Sequence, residues 1–473
     1  MNRNNFWIHF GIAVVIITMA AVLGQIRRWQ SLSSNSPKIT KTTPKPITVK
    51  RSVAEGEPEV LVKFRPTVNW TDIKKLAAKN NDRVEDEIEA VKGLVSIDDL
   101  DNADAETVAK QYAAMTDLVI YAEANNKIEF DDPVPSVSSK DLLQREPIEA
   151  RPNDPKFGEQ WALNNLGQDG GKERADIDAL KAWLKTRGSS EIVVAVLDSG
   201  VDYTHPDLVG NIWFRPDNVP QYKDDEIGTF NDFRGFNAAE NFSDPMDDNG
   251  HGTHCAGIIG AEGDNDEGIA GVNWNVEIMP LKFMGRGGFG TTKDAIEAIN
   301  YAIDRKRNGV NVRVINASWG STMYSKALED VIRAAGEEGI LFVAAAGNAT
   351  TNNDKRPHYP SNYNLPNVIS VAATDKNDNL TSFSNFGLKT VHIAAPGKDI
   401  MSTWLNDDYR EASGTSMAAP QVAGVAALIL ASEPKLSVEK LRERILKSVD
   451  KIDSLNGKVE NGGRINAAKA LGN

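Results

Sequence analysis

Short, continuously apolar runs recur through the second half of the chain, at residues 192–197, 277–282, 312–317, 340–345 and 368–372. Helix-like stretches at 293–306 and 326–337 lie between several of them. Apolar runs of this length read as strands buried on both faces, and their alternation with helices predicts an α/β domain: a mostly parallel central sheet with helices on both faces. In such sheets functional groups collect at the carboxyl ends of the strands. Residues 417–431 carry a different pattern, with Ala, Val, Gly, Leu and Ile and no charge before Glu433. That predicts a helix apolar on every side and therefore buried. Pro420 is expected in its first turn, where a missing N–H costs nothing. Ser416 then stands where free backbone N–H groups and the positive end of the helix dipole converge.

The first half reads differently. Residues 60–64 alternate as a strand, followed by a helix near 72–80, strands near 84–88 and 93–98, a helix at 105–114 and a strand at 118–123. This β-α-β-β-α-β order predicts a small, two-layer α+β unit of ferredoxin-like type. Residues 131–152 are rich in Pro and Ser and mark a domain boundary, and residues 31–58 have the Ser, Thr, Pro and Lys content of a flexible tether. Residues 6–26 contain no Asp, Glu, Lys or Arg, with Arg3 before them and Arg27 and Arg28 after. The run is long enough to cross a bilayer. It is either a secretory signal, cut near Gly24, or an uncleaved anchor that leaves the rest outside the cytoplasm. The division expected is 1–24 signal or anchor, 25–58 linker, 59–150 small unit plus linker, and 151–473 the α/β domain.

Composition narrows the partners. Hydrophobic content of 41% and charged content of 25% over 473 residues suit a globular chain with a large core. A net charge of −13 argues against nucleic acid and is compatible with divalent cations. Cys255 is the sole cysteine, so the chain has no intramolecular disulfide.

The candidate chemistry sits at strand ends. Asp198 follows the run 192–197 directly and precedes Ser199 and Gly200. A carboxylate there needs a hydrogen-bond partner or a charge, although a turn aspartate would look the same. Among six histidines, His251 is flanked by Gly250 and Gly252, which allow close backbone approach. It leads through His254 and Cys255 into a small-residue apolar helix. A zinc site on His251, His254 and Cys255 lacks a second ligand cluster at finger spacing. Cys255 itself reads as core rather than nucleophile. Asn348 follows Gly347 at the end of the run 340–346, so its amide projects from the edge where Asp198 sits. Ser416 is either a helix cap or a nucleophile whose oxyanion the helix end stabilises.

These four residues occur in the order acid, base, amide donor, nucleophile. The stretches Val196-Leu197-Asp198-Ser199-Gly200, Gly250-His251-Gly252-Thr253-His254, Ala346-Gly347-Asn348 and Gly414-Thr415-Ser416-Met417-Ala418 resemble the motifs of the subtilisin-like serine proteases, the subtilases. The likeness runs from about Asn153 to the end and is nearest the thermitase branch, through His254-Cys255. It implies a serine endopeptidase acting through an acyl-enzyme, with Asp198, His251 and Ser416 as triad and Asn348 as oxyanion donor. It also implies an extended substrate between Gly288-Phe289-Gly290 and Ser318-Trp319-Gly320, with Ala345, Ala346 and Gly347 walling the pocket before the scissile bond and His358 near its base. No acidic residue marks that pocket, so a broad or apolar preference is expected. The residue after Pro420 is usually His in the family. Here it is Gln421, beyond the reacting atoms, and a packing change is expected.

By the same resemblance, the 59–130 unit is an inhibitory propeptide that is cut off between Asp131 and Asn153, making the chain an autoprocessed precursor. The partners expected are protein or peptide substrates and this propeptide; no nucleic-acid partner is expected, the enzyme is expected to be a monomer, and the destination is secretion or a membrane tether. Calcium is the cofactor expected, on Asp154, Asp207, Asn265 and the carbonyls of Glu262, Glu267 and Ile269. A second acidic cluster, Asp224-Asp225 with Asp232 or Asp244 with Asp247-Asp248, reads equally as another calcium site or a solvated loop. The alternative to an enzyme is a catalytically idle subtilase fold used for binding.

Overall fold

A computed structural model describes residues 59–101, 103–130, 150–224 and 228–472. The apolar run 6–26, the tether 31–58, most of the segment 131–152 and Asp225 lie outside the described residues.

Residues 59–124 form β1 (Glu59–Phe64), α1 (Trp70–Lys79), β2 (Asp82–Glu87), β3 (Leu94–Asp99), α2 (Ala105–Ala113) and β4 (Val119–Ala124). This is the β-α-β-β-α-β order that the alternation predicts. The four strands make an antiparallel sheet in the order β2-β3-β1-β4. Asn69 and Asp104 cap the helices by accepting from Asp72 N and Thr107 N. Both helices bury Ile73, Val108, Ala109 and Tyr112 against Val60, Val62 and Ile97 on one face of this sheet. The other face presents Leu61 and Leu94 to the larger domain.

The larger domain is built on β6 (Gly188–Asp198), β7 (Phe236–Asn237), β8 (Asn275–Lys282), β10 (Val312–Ala317), β11 (Leu341–Ala345), β12 (Val368–Thr374), β13 (Ile393–Pro396), β14 (Val449–Lys451) and β15 (Gly463–Ile465). A short strand before β10, Phe289–Thr291, is β9, and it lies outside this sheet. The order is β14-β15-β13-β12-β11-β10-β6-β8-β7, parallel except for β14 with β15. Helices cover both faces, as the continuous apolar runs require. Val194 and Val196 face the core of α3 (His251–Gly260) and α6 (Thr415–Ser432). Val193, Ala195 and Leu197, one residue out of phase, face α4 (Thr292–Arg307) and α5 (Lys326–Glu337).

Helix α6 is the central helix of the first layer, and every residue from Thr415 to Leu430 is buried. The prediction of an all-apolar buried helix holds. The expected place of Pro420 does not. Thr415 opens the helix, so Pro420 falls in the second turn, inside it. Its ring nitrogen offers no N–H to the carbonyl of Ser416. That carbonyl instead accepts from Ser318 Oγ at 2.8 Å and faces Cys255 Sγ at 3.5 Å.

The small unit continues past β4 into β5 (Lys127–Glu129), which leaves its own sheet and pairs antiparallel with β9. Glu123 caps α5 from outside, accepting from Ser325 Oγ and from the backbone N–H groups of Lys326 and Ala327. Asn125 Oδ1 and the Asn126 carbonyl likewise accept from Lys293 N and Thr292 N at the start of α4. Orphan donors at both helix N-termini are thus satisfied by the small unit.

Candidate active site

Strand β6 ends on Asp198, which is fully buried. Its Oδ1 accepts from Ser199 N at 2.8 Å and meets His251 Nδ1 at 2.8 Å. His251 opens α3, and the two glycines beside it are there for want of room. A methyl group on Gly250 would lie 2.5 Å from the Trp404 ring, and one on Gly252 would lie 2.0 Å from the Gly200 carbonyl oxygen.

Asp247 fastens the two elements together. Its Oδ1 accepts from Ser199 Oγ, Asn249 N and Gly250 N, and its Oδ2 from Thr253 N and Thr253 Oγ1. Ser199 Oγ in turn accepts from Gly252 N at 3.0 Å. The acidic composition of this loop reads equally as a second calcium site or a solvated loop, and in the structure its carboxylates are engaged by protein donors. Asp247 is committed to backbone donors, Asp248 to Lys282 and Asp244 to Tyr203. Asp232 is equally committed, to Arg215 and Arg305.

Ser416 is the second residue of α6, and its Oγ donates to the Ser318 carbonyl at 2.9 Å. Its backbone N–H lies in the first helical turn, where no preceding helical carbonyl can reach it. Asn348 Oδ1 accepts from Thr415 N and from Thr415 Oγ1, both at 2.9 Å. Those bonds fix the orientation of the amide. They leave Asn348 Nδ2 buried with no partner among the described residues. An unsatisfied buried amide beside a helix N-terminus is a donor pair set for an anion.

Cys255 lies beneath this constellation. Its sulfur is within 4.8 Å of ligand atoms of Asp198 and His251, and 3.5 Å from the Ser416 carbonyl. Burial pushes its thiol far above the usual range, so it is a protonated core residue rather than a nucleophile. His254 turns away, with Nε2 on the Arg410 carbonyl at 2.9 Å, and burial lowers it to about 4. It therefore does not join His251 and Cys255 in a zinc site.

Of the residues expected to bind an extended chain, Gly288 and Phe289 line a cleft of about 290 Å³, with His251 and Met417 also on its wall. Strand β5 lies in that direction, paired with β9 on one side and bridged from Glu129 to Gly320 on the other. Phe130 N donates to the Gly288 carbonyl at 3.0 Å, and the Phe130 ring covers His251 at 4.1 Å between centroids. Side chains of other expected residues are core. Trp319 is fully buried, with Nε1 on the Leu197 carbonyl and its ring against Phe283. Ala345 and Ala346 are fully buried as well. His358 stands where expected: a methyl group on Gly320 would lie 2.0 Å from its Cε1, and one on Gly347 3.1 Å from its ring. Gln421 is buried and lines a small internal cavity with Trp161, Ile258 and Ile400, away from the reacting atoms.

The expected calcium ligands also converge. Asp207 Oδ1 accepts from Asn265 Nδ2, its Oδ2 from Ile269 N, and its carbonyl from Glu262 N. Asp154 Oδ2 accepts from Asp264 N, while its Oδ1 is buried with no partner among the described residues. Burial raises Asp154 to about 6 and Asp207 to about 7, and each feels further acidic charge nearby. An orphaned carboxylate oxygen among oxygen donors and short of positive charge fits a hard cation.

Comparison with known proteins agrees with this geometry. The subtilase family profile matches residues 189–470. The chain is 41% identical over 290 residues to a thermophilic serine proteinase of a Bacillus species, covering 61% of this chain and 64% of that one. It is 38% identical over 320 residues to thermitase of Thermoactinomyces vulgaris, covering 68% of this chain and 99% of thermitase. Among solved structures it resembles fervidolysin from Fervidobacterium pennivorans, a keratinolytic enzyme related to subtilisin, with a TM-score of 0.68 and 25% identity. That match covers 88% of this chain and 61% of fervidolysin. With the family profile spanning more than half of its length and thermitase matched almost end to end, the chain belongs to the subtilase family of serine proteases.

Proposed function

We propose that the chain is an exported serine endopeptidase made as a precursor, in which residues 59–130 are the inhibitory prosegment. The observation that carries this reading is β5, an extended strand between β9 and Gly320 with Phe130 over His251. An extended chain added between two strands is how a protease holds a peptide by main-chain bonds. The prosegment thus lies where a substrate would, which supports both the cleft as the substrate site and the unit as its inhibitor.

In the proposed reaction Ser416 Oγ leaves the Ser318 carbonyl and attacks the substrate carbonyl carbon, passing its proton to His251 Nε2. Asp198, bonded to Nδ1, fixes the tautomer and stabilises the imidazolium. The oxyanion takes the Asn348 Nδ2 donor and the Ser416 N–H. His251 then protonates the leaving amine, and water repeats the cycle on the acyl-enzyme. Asp154 and Asp207 would hold calcium, which would supply the positive charge their buried carboxylates lack. Those residues, with Asn265 and the carbonyls of Glu262, Glu267 and Ile269, tie the 262–269 loop to the segment before the first strand of the domain. The apolar run 6–26 supports export, with retention as an anchor the variant of that reading. The test is hydrolysis of an unfolded protein by the mature chain, expected in the wild type and lost in Ser416→Ala.

A further inference from the structure

Where the small unit meets the peptidase body, consecutive residues of β2 both face α4. Ordinary alternation would send Glu85 and Asp86 to opposite sides of the sheet. A register irregularity between Val84 and Asp86 breaks the alternation, as bulges do when they re-aim a side chain. Helix α4 answers with Lys293 and, one turn on, Glu297, on the same face. Lys293 Nζ pairs with Glu85 at 2.7 Å and with Glu59 at 3.4 Å. Glu297 meets Asp86 from the small unit and Asp224, which closes the short strand Tyr222–Asp224 of the body.

These three carboxylates are 0%, 3% and 4% exposed for Asp86, Glu297 and Asp224, which decides that water does not neutralise them. Each offers an oxygen within 4.8 Å of the others. Both oxygens of Asp86 and both of Glu297 are buried and accept no hydrogen bond from any described residue. Lys293, the nearest cation, is already engaged by two other carboxylates. Burying the four oxygens of Asp86 and Glu297 in charged form, with Lys293 shared among other carboxylates, is costly unless a further positive charge joins them.

We infer that Asp86, Glu297 and Asp224 form a calcium site that bridges the prosegment to the peptidase body. Three carboxylates provide up to six oxygens, enough for the usual shell of calcium, whose flexible coordination at about 2.3–2.6 Å sets neighbouring ligand oxygens within about 5 Å of one another. Magnesium suits the place less, since it keeps several waters and the cluster is closed to solvent. One ligand comes from the small unit and two from the body, so the site exists only while they are docked. Resting on the prosegment reading above, calcium here tightens the inhibited state, separately from the Asp154–Asp207 position.

The experiment uses the full-length chain carrying Ser416→Ala, which stays uncut, and counts calcium per chain by isothermal titration and by atomic emission after gel filtration. Adding Glu297→Gln is expected to remove one bound calcium per chain, and so is adding Asp86→Asn, the second variant serving if the first does not fold. Equal calcium in parent and folded variants would overturn the inference, whether protons or nothing at all neutralised the cluster. The count is made on uncut chain, so it stands even if residues 59–130 prove not to inhibit. Failure of the prosegment reading would show instead as full activity of the mature chain in the presence of the separate 59–130 unit.

Discussion

The hydroxyl of Ser318 donates to the backbone carbonyl of Ser416 at 2.8 Å, filling the place that Pro420 leaves open in α6. Ser416 is therefore tied to Ser318 in both directions, since its own Oγ donates back to the Ser318 carbonyl. Ser318 Oγ is oriented in turn by Asn316 Nδ2 at 2.9 Å. Replacing Ser318 by Ala removes one donor from a buried carbonyl. The expected cost is about 1–3 kcal/mol of stability, read from urea unfolding, with a fall in kcat as the first turn of α6 loosens.

Asn348→Ala removes the free amide without touching the triad. The expected loss is about 3–4 kcal/mol of transition-state stabilisation, a magnitude established on subtilisin itself rather than on this chain. It should appear in kcat with KM little changed, because the donor is matched to the oxyanion and not to the ground-state carbonyl. An equal rise in KM would mean that Asn348 holds substrate instead.

How much of this was legible in the sequence depends on the range of the contacts. Asp198, His251, Asn348 and Ser416 stand out because each sits at an element end with glycine or small residues fixed around it. The βαββαβ unit is legible for the same reason, since its periods change at every boundary. The work of Asp247 is not legible: its five bonds join segments whose spacing carries no pattern, and its acidic neighbours read equally as a calcium site or a solvated loop. Pro420 reads as a first-turn residue because only the fold shows that Thr415 opens the helix. The Ser416 carbonyl that Pro420 leaves open is filled by Ser318, 98 residues from Ser416. Phe130 over His251 is likewise a contact between distant segments with no local signature.

That contact predicts inhibition. A separate 59–130 unit added to mature chain should inhibit it, and Phe130→Ala should weaken inhibition about tenfold or more. The ring gives up its apolar cover and its stacking on His251, together worth about 2 kcal/mol. Inhibition constants measured with the two units would check this.

Removing calcium should lower the melting temperature of the mature chain. Asp154→Asn should abolish most of that difference, because the orphaned Asp154 oxygen is the part of the cluster most dependent on a cation. Calorimetric scans with and without chelator on both proteins make the comparison.

His392 gives the fold an acid sensitivity. Its Nδ1 accepts from Ser370 N at 2.8 Å, and burial, with Arg442 nearby, lowers it to about 3. The folded state thus binds fewer protons than the unfolded state below about pH 6.5. Its contribution is intact above that pH and is lost progressively as pH falls towards 3. The slope expected is about 1 kcal/mol per pH unit, and His392→Asn should flatten it in urea titrations between pH 7 and 4.5.

The central claim is that Ser416 is a nucleophile activated by His251 and Asp198. Labelling of the mature chain by a fluorophosphonate tests it most directly, with the modified peptide located by mass spectrometry. The wild type should be modified at Ser416, His251→Ala should react at least a hundredfold more slowly, and Ser416→Ala should not react. Folded, prosegment-free wild-type chain that takes up no label at Ser416 would contradict the account.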